Sequence, residues 1–489
     1  MTHLYEHLRR TADRLPDHPA ATDLSTGRSL TFAELRDRSE RIAARLIEVG
    51  GVERYDRIGL CAPNSLEYLP IAFAILRAGG CLTPIPANAT TPEARHIIDD
   101  IDVGHLLVTP GAADIAALAP DFETVALDSD TPADFTFHRR RSTPAAPSEF
   151  AALDPAFVRF TSGSTGRSKG VVLSHAATTA RVEAADARLR LTEDDRVLWL
   201  LPLAYHFAVT ITAYVRSGAH VLLCPESKPA ELASRIAEHR PTIVYASPVQ
   251  TERLGSVGSA EALASVRLFI STAAPIRRDV IERFEERCQK PVTQAYGIIE
   301  AGLPCIQDRA MGDAATSVGT PVPGYDLVLF DREGQPLARR PDVEGEVGIR
   351  AAGLFSAYYR PWTPRSAIER DGYFLTGDIG FFDARGALHL VGRSKSMIIV
   401  GGMKFFPEEV ESVLDDHPAI RQSRVSAVDH PKLGQYPRAE LVLADPTREL
   451  DRTELRRFLA DRLSSYKIPV EFTIAEEIPR TRSGKIRRW

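Results

Sequence analysis

Phe160-Thr161-Ser162-Gly163-Ser164-Thr165-Gly166-Arg167-Ser168-Lys169-Gly170 is the stretch on which the fold turns. It continues an apolar run at 157–160 that reads as a buried strand. Its glycines let the backbone bend until successive N–H groups point at one anion. Ser162, Ser164 and Thr165 add hydroxyl donors and Lys169 an ammonium, enough for several phosphate oxygens. The loop is not a Walker A loop, because no Gly-Lys-Ser/Thr closes a Gly-x4 spacer. Nor does any GxGxxG follow a strand, so a dinucleotide enzyme is not indicated. A flexible Gly/Ser linker would need neither the lysine nor the flanking strands. The segment reads as a phosphate cradle.

Outward from this loop, helical and strand patterns alternate for most of the chain. That predicts an α/β fold with parallel sheets. Leu4, Leu8 and Leu15 suggest a surface helix with one buried stripe. Thr31-Phe32-Ala33-Glu34 opens as a capping box, and Leu35, Ile42 and Leu46 continue an amphipathic helix to Gly50-Gly51. A strand at 57–61 follows, then an apolar helix at 66–77. Short apolar runs at 106–108, 197–201, 221–223, 243–245 and 268–270 read as further buried strands. The Pro-, Ala- and Ser-rich stretch 131–155 contains the basic run His138-Arg139-Arg140-Arg141. It is expected to be a solvated connection between two α/β lobes. Short strands with Gly-rich turns at 321–390 predict a small β-barrel-like subdomain. The expected division is a body at 1–392 and a small mobile α+β lid at 393–489.

Composition removes whole classes. With 44% apolar and 26% charged residues the chain is neither disordered, collagenous nor a coiled coil. Sixty basic against 65 acidic residues, a net charge of −5, argue against a nucleic-acid partner. No run of about 20 apolar residues could span a membrane, and the N-terminal stretch lacks the apolar segment of a signal peptide. Cys61, Cys81, Cys224, Cys288 and Cys305 form no CxxC pair and fit buried small hydrophobes in a reducing cytoplasm.

The loop at 160–170 resembles the signature loop of the adenylate-forming superfamily: acyl-CoA synthetases, stand-alone adenylation enzymes and luciferases. The resemblance recurs in order along nearly the whole chain. Residues 27–35 look like the opening strand and helix, and Ser271-Thr272-Ala273-Ala274-Pro275 like the adenine-flanking loop. Gln294-Ala295-Tyr296-Gly297-Ile298-Ile299-Glu300 resembles the YGxTE motif, and Gly345-Glu346-Val347 the later GE(L/V) motif. Thr376-Gly377-Asp378 matches the TGD motif, and Gly392-Arg393-Ser394-Lys395 the hinge motif. Residues 402–411 look like the helix entry of the mobile domain. Pro479-Arg480-Thr481-Arg482-Ser483-Gly484-Lys485 matches the terminal catalytic-lysine motif.

The resemblance implies a two-step reaction. A carboxylate attacks the α-phosphate of ATP, giving acyl-adenylate and pyrophosphate, and a second nucleophile then displaces AMP. It implies that Thr161, Ser162, Gly163, Ser164, Thr165, Gly166 and Lys169 hold the β- and γ-phosphates. Glu300 would ligate Mg²⁺, with the Thr161 hydroxyl near the metal. Thr272, Ala273, Ala295 and Gly297 would flank the adenine, with Tyr296 stacked on it. Asp378 and Arg393 would take the ribose; read alone, Gly377-Asp378 is equally a turn. Lys485 would swing in to bridge carboxylate and α-phosphate. Lys395 would mark the hinge, and Gly401-Gly402 would lie near the incoming thiol.

Two departures stand out. The threonine of YGxTE is Ile299 here, a missing hydroxyl worth about 1.5–3 kcal/mol unless another donor substitutes. Tyr205 aligns with the family's gate residue, while His206 is one place on; either could line the acid site. No aspartate follows to hold an α-ammonium, so an α-amino acid is disfavoured. Val209, Ala246, Ile298 and Leu303 suggest a pocket for a neutral aliphatic or aromatic acid. The expected activity is ATP- and Mg²⁺-dependent ligation of a small carboxylic acid to CoA by a monomer or homodimer. The alternatives are transfer to a carrier-protein pantetheine or an amine, activation of another oxyanion such as nitrite, or a nucleotide-binding protein without catalysis. No carrier-protein domain is expected after Trp489.

Overall fold

The structure, a computed structural model, describes residues 3–109, 112, 121–127, 135–160, 169–224, 229–309, 312, 314–341, 343–400, 403–431, 433–448, 450–480 and 486. Among the described residues two nine-stranded sheets form the body. In the first, Arg57–Ala62 pairs in parallel with Cys81–Pro86 and His105–Val108, and Cys81–Pro86 pairs in parallel with Pro155–Phe160. The first two of these strands are buried along their whole length, because apolar layers cover both faces. In the second, Arg196–Trp199, His220–Leu223, Ile243–Ala246, Leu268–Ser271 and Val292–Ile298 run parallel. Gly302–Ile306 returns antiparallel beside the last of them. This is the α/β architecture that the alternation predicts.

Local signals hold where the contacts are local. Thr31 caps the helix Phe32–Glu48 with a reciprocal Glu34 bond, and Leu35, Ile42 and Leu46 are buried on its inner face. All five cysteines are buried. Among the described residues no helix is long and apolar enough to cross a membrane.

The basic run departs from expectation. Instead of a solvated loop, His138, Arg139 and Arg140 lie in the strand Thr136–Arg140, between His105–Val108 and Phe122–Val125. The physical reason is compensation from neighbours: Arg140 meets Asp99 at 3.0 Å and Arg139 meets Glu123 at 2.7 Å. Strands on both sides of 131–155 therefore share one sheet. The chain changes sheets later, through the helix His175–Leu189.

Beyond the body, Tyr325–Phe330, Gly345–Ala351, Phe374–Phe382 and Leu388–Arg393 form a four-stranded antiparallel sheet. The last segment builds a five-stranded sheet with the helices Pro407–Asp415 and Arg452–Ala460. Ile398, Val410, Leu414, Leu441, Leu455 and Phe472 give it an apolar cluster of its own. At its junction with the body a Cβ on Gly392 would stand 2.8 Å from the Phe406 ring. Arg277 reaches across to Asp415 at 3.9 Å.

Candidate active site

Strand pairing brings three of the sequence-predicted residues together. Asp378 lies inside Phe374–Phe382, not in a turn, and is paired with Arg393 across the ladder. Tyr296 projects from Val292–Ile298. Its hydroxyl donates to Asp378 Oδ2 at 2.5 Å, while Arg393 Nε donates to Oδ1 at 2.7 Å. Asp378 is only 5% exposed, so its charge depends on these two donors. Burial, then the Asp378 carboxylate, pushes the Tyr296 hydroxyl well above its usual range. For Arg393 burial acts downward, but Asp378, Tyr296 and Glu300 together outweigh it and the guanidinium is raised. Each carboxylate oxygen keeps a further acceptor site, which a pair of adjacent hydroxyls could fill.

A second group sits four residues on. Tyr358 donates to Glu300 Oε1 at 3.1 Å, and Lys169 Nζ stands 4.3 Å over the Tyr358 ring. Tyr358 reaches this position because Ala357–Tyr358 pairs with Val172 and Val171, the latter two residues after Lys169 in the chain. One phenol thus links the loop lysine to the glutamate. Among the described residues no group of three His, Cys, Asp or Glu could hold a metal. The Glu300 carboxylate suits a cation such as Mg²⁺ that takes other oxygens from phosphates and water.

Arg181 fixes the backbone beneath Glu300. Fully buried, it donates to the carbonyls of Ile299 at 3.1 Å, Glu300 at 3.2 Å and Gly353 at 3.0 Å. A Cβ on Gly353 would stand 2.9 Å from Arg181 Cβ, so glycine is needed for this approach. Arg181→Met strands three carbonyls, and we expect a loss of about 2–4 kcal/mol in unfolding free energy by denaturant titration. A change under about 0.5 kcal/mol would refute this anchoring.

The adenine-flanking candidates lie on neighbouring strand ends. Thr272 Oγ1 donates to the Ala295 carbonyl at 2.9 Å, and Thr272 N to that of Ala246 at 3.1 Å. Ala273 adopts φ +75°, a left-handed conformation costing an alanine about 1–2 kcal/mol. Gly297 has no room for a side chain, since a Cβ would meet Leu303 Cδ2 at 2.9 Å.

On the acid side, Tyr205 and His206 end the short helix Leu203–His206, followed by the π-helical turn Phe207–Ile211. The His206 ring meets Trp199 at 5.6 Å and Tyr245 at 6.2 Å. Burial, with a smaller push from the Arg159 guanidinium, takes its pKa down to about 3, so the imidazole is neutral. Ile298, Ile299 and Leu303 pack with the same apolar cluster as Phe207 and Tyr245. Ala246 does not join them. Alternate residues of Ile243–Ala246 face opposite sides, which places Ala246 with Leu198, Val244 and Phe269.

Thr161, Ser162, Gly163, Ser164, Thr165 and Gly166, Gly401-Gly402 and Lys485 lie outside the described residues, as do the side chains of Val209 and Lys395. Sequence reasoning missed Tyr358 and Arg181. Their partners lie 58 and 118 or more positions away, beyond any local spacing.

Known proteins share this fold. The profile of the AMP-binding enzyme family matches residues 8–359, and that of the AMP-binding enzyme C-terminal domain matches 409–485. A feruloyl-CoA synthase from an Amycolatopsis species is 30% identical over 475 residues, covering 94% of this chain and 93% of its own. ATP-bound MatB from Rhodopseudomonas palustris superposes with a TM-score of 0.84 at 25% identity, covering 99% of this chain and 97% of that one. The amide bond synthetase McbA from Marinactinospora thermotolerans does so at 0.82 and 25% identity, covering 99% and 98%. A match over this much of the chain, with the motifs in order, makes it a member of the AMP-binding enzyme family, the adenylate-forming superfamily that includes the acyl-CoA synthetases.

Proposed function

We propose that this chain is an ATP- and Mg²⁺-dependent ligase that activates a small carboxylic acid as acyl-AMP and passes the acyl group to CoA. The observation that carries this reading is the Tyr296–Asp378–Arg393 cluster, four residues along the chain from the Glu300–Tyr358–Lys169 group. Asp378 takes the ribose hydroxyls, with Tyr296 and Arg393 holding its carboxylate. Lys169 and the loop before it take the β- and γ-phosphates. Glu300 would hold Mg²⁺, which when bound neutralises phosphate charge. Tyr358 fixes the distance between the two.

In the first half-reaction an acid oxygen bonds to the α-phosphorus as the bond to pyrophosphate breaks. The ammonium of Lys485 stabilises the charge that gathers there. In the second, the CoA sulfur attacks the acyl carbon and AMP leaves. Residues 1–392 act as the body and 393–489 as a lid that turns about Lys395 between the two steps. The feruloyl-CoA synthase relative and the ATP-bound MatB structure support ATP and CoA as co-substrates. The likeness to an amide bond synthetase favours one second reading, in which an amine takes the place of CoA.

A pyrophosphate-release screen over short, branched and aromatic acids, with and without CoA, tests both. Acid-dependent pyrophosphate with a CoA thioester as product is expected. AMP release that needs an amine or a carrier protein would replace the acceptor. No release with any acid would overturn the ligase reading itself.

A further inference from the structure

Glu300 is held at its backbone and at its tip. Its carbonyl accepts from Arg181 Nη2 at 3.2 Å and from the Phe355 amide at 2.8 Å. Its carboxylate accepts at Oε1 from the Tyr358 hydroxyl at 3.1 Å. An ionised carboxylate only accepts, so the phenol is the donor. Phe355 and Tyr358 belong to one short strap of chain. Ser356 N donates to the Val172 carbonyl at 2.8 Å and Tyr359 N to that of Gly170 at 2.7 Å. Those bonds tie the strap to Gly170–Ser174, the strand that leaves the phosphate loop.

The Tyr358 side chain has little freedom to leave this position. It is 9% exposed, with the Phe355 ring at 4.8 Å and Lys169 Nζ 4.3 Å over its face. Swinging the ring away from Glu300 would also give up the ammonium.

These contacts bear on which divalent ion the carboxylate takes. Mg²⁺ is small, demands near-octahedral geometry and is held by few carboxylate oxygens beside phosphates and water. Ca²⁺ is larger, takes about six to eight oxygens in flexible geometry and accepts both oxygens of one carboxylate. A carboxylate with its backbone fixed and one oxygen engaged by a phenol cannot turn both oxygens to one ion without weakening that charge-assisted bond.

We propose that Tyr358 is a positioning residue that sets the metal preference of Glu300: by holding Oε1 it presents a single oxygen, which suits Mg²⁺ and disfavours Ca²⁺. This rests on the ligase reading, which assigns the metal to Glu300.

The test is ATP binding by calorimetry to purified full-length protein, with no acid present, in Mg²⁺, in Ca²⁺ and in EDTA. The wild type is expected to bind ATP more tightly with Mg²⁺ than with Ca²⁺. Tyr358→Phe keeps the ring under Lys169 and releases Oε1. The ratio of the two affinities should fall roughly tenfold, as for one hydrogen bond to a charged group, with binding in EDTA unchanged. Tyr358→Leu also removes the ring, so the ratio should fall and binding in EDTA should weaken as well. If Tyr358→Phe does not fold, Tyr358→Leu carries the comparison. Equal affinity with both ions in the wild type overturns the proposal. So does an unchanged ratio in the variants, or an equal loss in all three solutions for Tyr358→Phe, which would make Tyr358 a support of the fold alone. Glu300→Gln separates this proposal from the reading beneath it, because it should remove most of the difference between metal and EDTA. If that difference persists, the ligase reading loses its metal site. If it vanishes while Tyr358→Phe keeps the wild-type ratio, only the role of Tyr358 fails.

Discussion

Lys485→Ala is expected to slow acyl-adenylate formation about a hundred- to a thousandfold, the usual effect of removing one preorganised donor from a developing charge. Thioester formation from acyl-AMP supplied ready-made should stay within about threefold of wild type. The asymmetry follows from the charge balance. In the first step two anions, a carboxylate and a triphosphate, must approach, and a compact ammonium on a flexible stem offsets their repulsion. In the second step that pairing has already been made. Arg480 and Ile486, before and after Lys485 in the chain, pair in an antiparallel bridge. Burial lowers the Arg480 pKa, and Glu252 of the body and Asp415 of the last segment oppose that shift, so Arg480 lies where the two parts meet. Rapid-quench assay of the two half-reactions separately measures the effect. A comparable loss in both would remove Lys485 from adenylation.

The division between what the sequence disclosed and what it hid follows contact range. The Thr31–Glu34 capping box spans three residues, and its residue types specify it. The ordered motifs disclosed Asp378, Arg393, Glu300 and Tyr296 as candidates. They did not disclose that Tyr296 and Asp378, 82 positions apart, share a hydrogen bond. Tyr358 gains its meaning only once Ala357–Tyr358 docks beside Val171 and Val172. The basic run at 138–141 misled because Asp99 and Glu123 arrive through folding, so local charge density overstated its solvation. Ala246 misled because membership of a strand does not say which face a side chain takes, and register decides that.

Asp378→Asn should give the opposite kinetic signature to Lys485→Ala. It keeps the shape and removes the charge that Tyr296 and Arg393 converge on. Hydrogen bonds to a charged group contribute about 1.5–3 kcal/mol each, so we expect KM for ATP to rise roughly tenfold to a hundredfold. The ribose is present in ATP and in acyl-AMP alike. The variant should therefore weaken both half-reactions, whereas Lys485→Ala weakens one. Tyr296→Phe alone should cost less, because Arg393 still holds Oδ1. Combined with Asp378→Asn it should add little, since both changes remove the same hydrogen bond and their effects are not additive. A double-mutant cycle on KM for ATP, run for both half-reactions, decides the matter. Full additivity would show that Tyr296 acts on the nucleotide independently of Asp378, and an unchanged KM in Asp378→Asn would take the carboxylate out of ribose binding.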